Sequence, residues 1–464
     1  MALLSLSIAR EIAYDAFVSV MEEKKRPEDV LEDSYEANKK KIKQIDKSFI
    51  KEILYGSLRW YSKIYWILQN TSNRNLDKTT LEVRASLVVG TYQIYYMDRV
   101  PDRAAVNESV EYVRKKGQAS ACSFVNGILR QIARRAKYFQ KPDKKEKPLE
   151  YLSLQYAHPE WIVKRWLNVF NFDKTEQVLA SNNKPPPYSI RSNLRKTDLS
   201  DIYILQQKLL KDEGIHSDKT HLRTALHLKS YPDISKDSLF GKGYYTIQDE
   251  ASQLIGLLVS PNEGEVILDA CAGPGGKLSH LYELGDEKIT LIAVEQDERQ
   301  MNRAKDTMAR LGHDKVEWVH EDFLNWKSRK KLDKILLDAP CSGLGVLRRH
   351  PEGKWQKRED IISAMARKQG EMLRHALKLI KVGGEIIFSV CSFEIEETED
   401  HVKNLLKEYG EHIELVSPVS RLPDYYKKYV TRKNVLLIYS GNQDEMDGFG
   451  SFIFKLKKRI GESK

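Results

Sequence analysis

The sequence predicts a multi-domain protein in which an all-helical bundle precedes a small α+β module and an α/β domain. Its 464 residues are too many for a single hydrophobic core. Between residues 8 and 135, apolar residues recur at helical spacing and no alternating strand pattern appears. From Gly243 onwards, short apolar runs alternate with helical patterns, which is typical of a parallel, doubly wound sheet.

The first domain is assigned to residues 1–140. Its predicted helices carry apolar stripes, which consist of Ile8, Ile12, Ala16 and Val20, then Ile50, Leu54, Leu58, Tyr61, Tyr65 and Leu68, and finally Phe124, Ile128 and Ile132. Cys122 lies on the last of these helices and is interpreted as a small buried residue. Residues 134–147 hold seven basic residues and few apolar ones. These residues predict a solvated linker, which is assigned to residues 141–150. The alternative is that this basic segment contacts RNA.

Residues 151–242 are predicted to form the small α+β module. Strand patterns occur at residues 188–194 and 225–228, and a helical pattern lies between them. Arg191 and Asn193 accompany the first strand. They are either ordinary surface groups or RNA contacts, because a small sheet that offers arginine to phosphate is a common RNA-binding surface.

The C-terminal domain is assigned to residues 243–464 and is predicted to contain a mostly parallel sheet. Short apolar runs mark its first strands at residues 266–269, 291–295, 316–320, 335–338 and 385–390. Two further strands, at residues 435–439 and 451–455, are predicted to form an antiparallel edge. Ligands bind at the carboxyl ends of the strands in such sheets, so the residues that follow the strands are candidate site residues.

The turn after the first of these strands is rich in glycine, which indicates that its backbone lies close to a ligand. It begins after Asp269 and contains Cys271, Ala272, Gly273, Pro274, Gly275, Gly276 and Lys277. Glycines let the backbone approach a ligand that a Cβ atom would exclude. Pro274 interrupts the dinucleotide-binding pattern GxGxxG, and Leu278 after Lys277 excludes a P-loop. The turn therefore indicates a cofactor without a phosphate-binding signature.

Two acidic residues end the next strands. Glu295 lies 26 residues after Asp269, a spacing that places a carboxylate near ribose hydroxyls in βαβ units. Asp322 follows the third strand and is suited to an adenine amino group. A glycine-rich turn with a ribose-binding acid favours S-adenosylmethionine as the cofactor.

Two cysteines stand at the ends of two strands that we expect to be neighbours. Asp338 and Cys341 follow the fourth strand, and Cys391 directly follows the fifth. Either cysteine alone could be a small buried residue. Two thiols beside a methyl donor instead indicate chemistry on a cytosine ring. Carbon 5 of cytosine is a poor nucleophile, and addition of a thiolate to carbon 6 makes it reactive.

The remaining groups have roles in the same chemistry. Asp338 would hold the edge of the base and favour the protonated ring nitrogen. A free thiol is mostly protonated at neutral pH, so Lys277 or the adjacent helix N-terminus would supply the positive charge that favours the thiolate. After methyl transfer the carbon 5 proton must leave and the thiol must be expelled, and a second thiol is well placed to assist.

Motifs spread along the chain resemble the Sun (Fmu, RsmB-type) ribosomal RNA cytosine-5 methyltransferases. They are Gln248-Asp-Glu-Ala-Ser252, Ala270-Cys-Ala-Gly-Pro-Gly-Gly-Lys277, Asp338-Ala-Pro-Cys-Ser-Gly343, Arg349-His-Pro351, Lys354-Trp355, Cys391-Ser392 and Asp447-Gly-Phe449. The helical start resembles NusB-like domains, which bind RNA. It does so in Gly56-Ser-Leu-Arg59, Tyr96-Met-Asp-Arg-Val-Pro101, Ala104-Ala-Val-Asn-Glu108 and Phe124-Val-Asn-Gly-Ile-Leu-Arg130.

The resemblance implies a Rossmann-like methyltransferase domain that acts on small-subunit ribosomal RNA with S-adenosylmethionine. It implies that Cys391 is the nucleophile and that Cys341 serves product release. Arg349 and Lys354 are implied as RNA contacts. The cofactor would be held by the turn from Cys271 to Lys277 and by Glu295, Asp322 and Asp338. The chain departs from the family pattern at Val390, Gly273 and Thr398, where the family usually has Thr, Ala and Asn.

Composition excludes several other classes. Four cysteines without a CxxC spacing do not form a disulfide framework, which predicts a reducing, cytoplasmic compartment. No export signal is recognised, and the longest uncharged stretch, residues 85–97, is too short to span a bilayer. The net charge of +10 fits either a basic surface or a polyanion partner. A monomer without a metal ion is expected.

Three rival functions remain open at this point. A DNA cytosine methyltransferase would use the Pro-Cys thiol as its nucleophile, but no target-recognition region of that class is present. A non-catalytic RNA-binding factor of the NusB type would need no intact cysteine pair. A cytosine-5 methyltransferase that acts on another RNA, such as tRNA, would have the same site. The target nucleotide cannot be identified from the sequence, because RNA recognition depends on shape and on splayed bases.

Overall fold

The computed structural model shows two compact units. The first comprises residues 1–185 and 347–359, and the second comprises residues 186–346 and 360–464. The residues that the structure describes are 6–135, 141–196, 201–230, 236–285 and 287–460. Residues 136–140 of the predicted linker region lie outside them. The domain boundaries given above stay a prediction.

The first unit is helical, and the helical pattern predicted between residues 8 and 135 is confirmed. Its helices are α1 (Ile8–Glu22), α2 (Pro27–Ala37), α3 (Gln44–Arg59), α4 (Tyr61–Thr71), α5 (Leu81–Tyr96), α6 (Asp102–Lys115), α7 (Cys122–Arg135), α8 (Pro148–Gln155), α9 (Glu160–Val169) and α10 (Phe172–Asn182). Most members of the predicted stripes, such as Val20, Leu54 and Ile132, are buried in one core. Helix α5 is apolar around most of its circumference and is largely buried. Among the described residues, no helix combines the length and apolar composition needed to cross a membrane.

The second unit begins with a small antiparallel sheet. Its strands are β1 (Tyr188–Ser192), β2 (Ser217–Lys219), β3 (Ala225–Leu228) and β4 (Tyr245–Ile247), and their order is β2-β3-β1-β4. Helices α11 (Ile202–Glu213) and α12 (Ser238–Gly241) accompany it. Strands β2 and β4 were not predicted, because three residues are too few to show an alternating pattern.

The rest of the second unit is a larger mixed sheet with flanking helices. Its strands are β5 (Val266–Asp269), β6 (Thr290–Glu295), β7 (Val316–His320), β8 (Leu332–Asp338), β9 (Ile380–Val390), β10 (Ile413–Val416), β11 (Leu436–Ile438) and β12 (Phe449–Leu456). The helices are α13 (Glu250–Val259), α14 (Gly276–Gly285), α15 (Glu298–Leu311), α17 (Asp360–Leu379) and α18 (Glu399–Tyr409), and the short α16 (Gly353–Gln356) belongs to the first unit. The sheet order is β10-β12-β9-β8-β5-β6-β7, with β11 paired to β12.

Three details of the predicted sheet are wrong. Strand β12 is not an edge, because it lies between β9 and β10 and pairs antiparallel with both. The edge strand β10 was missed, since its sequence Ile-Glu-Leu-Val is short. Strand β9 also begins at Ile380 rather than at residue 385, because Lys381, Gly383 and Gly384 interrupt the apolar run that marks a strand in the sequence.

The central strands place the predicted site residues at one edge of the sheet. Strands β5, β6, β7, β8 and β9 are parallel to their neighbours in this set. Strands β8 and β9 are adjacent, as predicted, and Asp338 lies opposite Ser389 in their register. The segments that follow the two strands therefore begin side by side.

Candidate active site

The two strand-end thiols converge. Cys341 lies in the loop after β8, Cys391 follows β9, and their Sγ atoms are 3.0 Å apart. Both cysteines are reduced thiols and are half-buried. The loops are also joined through the backbone, because the N–H group of Gly345 donates to the carbonyl of Cys391 at 3.1 Å. The structure therefore brings both sulfur atoms within reach of one small substrate group.

A lysine and a carboxylate lie beside the thiols. Lys277 Nζ donates to Asp338 Oδ2 at 2.7 Å, and Ser389 Oγ donates to Asp338 Oδ1 at 2.6 Å. Although burial opposes the charge of Lys277, the carboxylate of Asp338 raises its pKa above the usual value, and a thiolate at Cys391 acts in the same direction. Lys277 therefore remains a cation that faces both Asp338 and Cys391.

Ser389 was not predicted as a site residue. It is fully buried and orients the carboxylate of Asp338 from the neighbouring strand. A polar residue inside the apolar run Ile-Ile-Phe-Ser-Val was the sequence signal that could have identified it.

The turn after β5 leaves room for a ligand. Gly273 and Gly275 adopt φ angles of 53° and 88°, which side chains rarely tolerate. A Cβ atom at Gly273 or Gly276 would project into open space, whereas one at Gly275 would lie 3.1 Å from Cα of Ala304. The close packing of Gly275 shapes the turn, and the space beside Gly273 and Gly276 is where a cofactor fits.

Two carboxylates end the strands that flank this space. Glu295 accepts hydrogen bonds from the N–H groups of Gly273 and Asp297, both at 2.8 Å, and so ties the turn to β6. Asp269 is fully buried, and neither of its carboxylate oxygens has a hydrogen-bond partner among the described residues. Burial and the nearby carboxylate of Asp338 raise the pKa of Asp269 to about 7. The unsatisfied carboxyl group of Asp269, the acidic Glu295 and the open glycine turn fit a cationic cofactor such as S-adenosylmethionine.

The other predicted cofactor residues surround the same turn or follow β7. Burial and the carboxylate of Asp269 raise the pKa of Cys271 well above its usual value, so this thiol stays protonated and suits a packing role. The N–H group of Ala272 donates to the carbonyl of Val294 at 3.0 Å, which holds the turn against β6. Asp322 accepts the N–H group of Leu324 at 2.9 Å, and its contact with adenine stays a prediction.

The prediction that Arg191 and Asn193 bind RNA is wrong, because both side chains are buried. Arg191 donates to Glu283 at 2.7 Å, to Ser279 at 3.0 Å and to the carbonyl of Gly276 at 3.0 Å. It therefore supports the cofactor turn from inside the protein. The side-chain amide of Asn193 donates to the backbone carbonyls of Gly243 and Leu311, and so fixes the residue that follows β1.

Lys354 is also buried and does not offer its charge to RNA. Its Nζ atom donates to the carbonyls of Arg59 and Ala157, both at 3.2 Å, and to Oδ1 of Asn183 at 2.8 Å. The predicted RNA contact is therefore wrong, and Lys354 instead joins helices within the first unit. Arg349 is half-buried, and its RNA contact stays a prediction.

Comparisons with known proteins agree with this architecture. Family models match at residues 256–457 for the 16S rRNA methyltransferase RsmB/F, at residues 7–134 for the NusB family, and at residues 158–235 for the ferredoxin-like domain of RsmF/B-like methyltransferases. The crystal structure of PH0851 has a TM-score of 0.81 at 24% identity and covers 97% of this chain and 99% of its own. This likeness confirms the predicted fold class.

Curated relatives match over most of their length. The probable ribosomal RNA small subunit methyltransferase B of Bacillus subtilis (strain 168) is 30% identical over 458 residues, which cover 97% of this chain and 98% of that protein. The ribosomal RNA small subunit methyltransferase B of Salmonella paratyphi B is 32% identical over 377 residues, which cover 79% and 83% of the two chains. The predictions of a methyltransferase and of S-adenosylmethionine as its cofactor are confirmed. The chain belongs to the RsmB/F family of 16S ribosomal RNA methyltransferases.

Proposed function

We propose that this protein methylates carbon 5 of a cytosine in small-subunit ribosomal RNA through a covalent bond between Cys391 and carbon 6. The observation that carries the proposal is the 3.0 Å separation of the two sulfur atoms beside the Lys277–Asp338 pair. Addition to a pyrimidine ring needs one ionised thiol, a cation that favours its ionisation, and a group that holds the edge of the base. Cys391 and Asp338 supply the thiol and the carboxylate at the ends of β9 and β8, and Lys277 supplies the cation from the start of helix α14.

The surroundings of the two thiols support different roles for them. The hydrogen bond between the two sulfur atoms and burial raise the pKa of Cys341 well above its usual value, and the carboxylate of Glu397 adds to this effect. Cys341 therefore keeps its proton at neutral pH. Cys391 instead faces the cationic Lys277, which favours its thiolate form. This asymmetry supports Cys391 as the nucleophile and Cys341 as an S–H hydrogen-bond donor.

The first step joins sulfur to carbon. The Cys391 thiolate supplies an electron pair to carbon 6, the double bond between carbons 5 and 6 opens, and ring nitrogen 3 takes up a proton from a water molecule. Asp338 holds this edge of the base, and Lys277 and Ser389 fix both oxygens of its carboxylate. When bound, S-adenosylmethionine would supply the methyl group to carbon 5 from its sulfonium and would leave as the thioether that keeps the electron pair of the broken S–C bond.

The second step releases the product. The proton on carbon 5 passes to a water molecule, and the electron pair of that C–H bond restores the double bond. The bond between carbon 6 and sulfur breaks, its electron pair returns to Cys391, and ring nitrogen 3 loses its proton. The S–H group of Cys341 lies 3.0 Å from the departing sulfur and stabilises the thiolate that forms.

The cofactor would be held by residues that border the open space beside the glycine turn. We assign the cofactor contacts to the backbone from Cys271 to Lys277 and the ribose hydroxyls to Glu295. The adenine amino group is assigned to Asp322. Glu295 already anchors the turn through Gly273, so its loss would disturb both the ribose contact and the turn itself.

The experiment is methyl transfer by the purified full-length protein to an unmodified transcript of small-subunit ribosomal RNA. Mass spectrometry of the digested RNA should locate one 5-methylcytosine, and the Cys391→Ala variant should produce none. A parallel reaction with unmodified tRNA tests the other RNA substrate. Absence of 5-methylcytosine from the ribosomal transcript, or a product methylated away from carbon 5, would contradict the proposal.

Calorimetric titration with S-adenosylmethionine separates this proposal from a non-catalytic NusB-type factor. The enzyme should bind the cofactor, and a vestigial sheet domain should not. We also propose a cytoplasmic location, because two thiols 3.0 Å apart stay reduced only in a reducing compartment.

A further inference from the structure

One buried carboxylate lies behind the thiol pair and belongs to neither the substrate nor the cofactor contacts described above. Glu397 ends a short helical turn after β9 and is fully buried. Its Oε1 atom accepts the N–H group of Ser342 at 2.8 Å and the side-chain amide of Gln369 at 2.9 Å. Its Oε2 atom accepts the hydroxyl of Ser342 at 2.5 Å. Ser342 directly follows Cys341 in the chain.

The same network holds the residue on the other side of the thiol. Gln369 Nε2 also donates to the carbonyl of Pro340 at 2.9 Å, and Gln369 Oε1 lies 2.9 Å from Nε2 of His401. Because an amide oxygen only accepts, His401 Nε2 carries the proton in this contact. Burial lowers the pKa of His401 to about 4, so the ring is neutral. Pro340 and Ser342, the two neighbours of Cys341, are thus fixed by one set of hydrogen bonds.

We infer that Glu397 is a positioning residue for product release, because its hydrogen bonds to Ser342 and Gln369 hold Cys341 against Cys391. The inference rests on the proposed function, in which Cys341 assists the departure of Cys391 from carbon 6. Glu397 positions Cys341 through Ser342 and Gln369, and its charge adds to the high pKa of that thiol. Its loss leaves the Lys277–Asp338 pair and the cofactor turn in place, so attack and methyl transfer should depend on it less than release does.

The Glu397→Gln substitution tests whether Glu397 acts through its hydrogen bonds or through its negative charge. A glutamine oxygen can accept from the Ser342 N–H group and from Gln369, and its amide can donate to the Ser342 hydroxyl oxygen. The Ser342 hydroxyl can then turn towards Ser392 Oγ, which lies 3.2 Å away. We therefore expect Glu397→Gln to keep Cys341 in position and Glu397→Ala to release it.

The test follows covalent protein–RNA adduct and 5-methylcytosine during a single turnover of the full-length protein on ribosomal RNA. Glu397→Ala should release methylated RNA about tenfold to a hundredfold more slowly than the wild type, since a small misplacement of a reacting group has effects of this size. Methylated adduct should accumulate on denaturing gels, and Glu397→Gln should restore most of the release rate. Glu399→Ala is the matched control, because Glu399 lies nearby and pairs with the exposed Lys433.

Gln369→Ala provides a second measurement if Glu397→Ala does not fold, because it removes the Pro340 contact and one of the Glu397 contacts. It should also accumulate methylated adduct. Release at the wild-type rate in the folded variants, or equal slowing of methyl transfer and release without adduct, would overturn the inference while the proposed function stands. A wild-type protein that forms no 5-methylcytosine would overturn the proposed function itself.

Discussion

Lys277 Nζ lies 2.7 Å from Asp338 Oδ2, and the same ammonium group faces the sulfur of Cys391. Removal of this charge by Lys277→Met should make the Cys391 thiolate harder to form. We expect methyl transfer to fall about a hundredfold, the size of effect seen when one preorganised charge-stabilising group is removed from an active site. The acidic limb of the pH–rate profile should move to higher pH. Single-turnover rates measured across pH with saturating cofactor test both effects.

Lys288→Met is the control for this prediction. Lys288 follows the same helix, is largely exposed and pairs only weakly with the exposed Glu263. Its replacement should leave both the rate and the pH profile unchanged. A Lys277→Met variant that loses activity at every pH equally would show that the lysine has a role other than favouring the thiolate.

The two thiols should give opposite results when each is replaced. Cys391→Ala removes the attacking sulfur and should abolish both adduct and methyl transfer. Cys341→Ala leaves the attack intact but removes the S–H donor 3.0 Å from the departing sulfur, so a covalent adduct should accumulate. Denaturing gels of the protein with labelled RNA distinguish the variants, and Cys122→Ala, which lies in helix α7, should behave like the wild type. An adduct with Cys391→Ala instead would reverse the two roles.

The parts of the site that the sequence predicted are those that follow strands directly. A buried strand shows itself as an apolar run, and the next few residues must then lie at the carboxyl edge of the sheet. Cys341, Cys391 and the glycine turn could be located in this way. Their mutual distances could not, because the separation of the sulfur atoms depends on how the loops after β8 and β9 pack.

Burial of charged residues was not predictable in the same way. Arg191 and Glu283 are 92 positions apart in the sequence, and their contact exists only because β1 packs against helix α14. Glu397 lies in the run Glu-Ile-Glu-Glu-Thr-Glu, which has the composition of a solvated surface. A single sequence does not reveal which acid in such a run finds a buried backbone N–H group, since that depends on residues brought near by folding.

Removal of one partner of the buried Arg191–Glu283 pair should strongly destabilise the second unit. Arg191→Leu leaves Glu283 charged and poorly compensated in the interior, which should lower the free energy of unfolding by about 3–5 kcal/mol. Arg195→Leu breaks the partly exposed pair with Glu287 and should cost only about 0–1 kcal/mol. Hydrogen exchange of strands β1 and β5 in the full-length protein measures both changes.

The double variant Arg191→Leu/Glu283→Leu tests the reason for that loss. If the unpaired charge is responsible, removing Glu283 as well should recover part of the stability. Equal losses in the single and double variants would instead indicate that the packing of Arg191, and its contact with the carbonyl of Gly276, dominate.

Two buried histidines should make the stability of the second unit depend on pH. Burial lowers the pKa of His280 to about 3 and that of His401 to about 4. Both side chains titrate near the usual value of 6.5 in the unfolded chain. Below pH 6.5 the unfolded chain therefore binds protons that the folded chain does not. As pH decreases towards 4, each histidine should lower the free energy of unfolding by roughly 1.4 kcal/mol per pH unit. Asp269, whose pKa is about 7, takes up a proton only in the folded protein over this range and should offset the contribution of about one histidine, so a net decrease remains.

His280→Leu should remove about 1.4 kcal/mol per pH unit from this slope, because His280 is fully buried and neither ring nitrogen has a hydrogen-bond partner among the described residues. His320→Leu replaces an exposed histidine and should leave the slope unchanged. The low pKa of Glu283, about 2, affects stability only below its usual value of 4.5. Asp269, with a pKa of about 7, contributes equally to the wild type and to His280→Leu, so the difference between their slopes from pH 6.5 to 4.5 reports His280. Urea unfolding across this range measures the slope, and an unchanged slope in His280→Leu would mean that its ring takes up a proton in the folded protein.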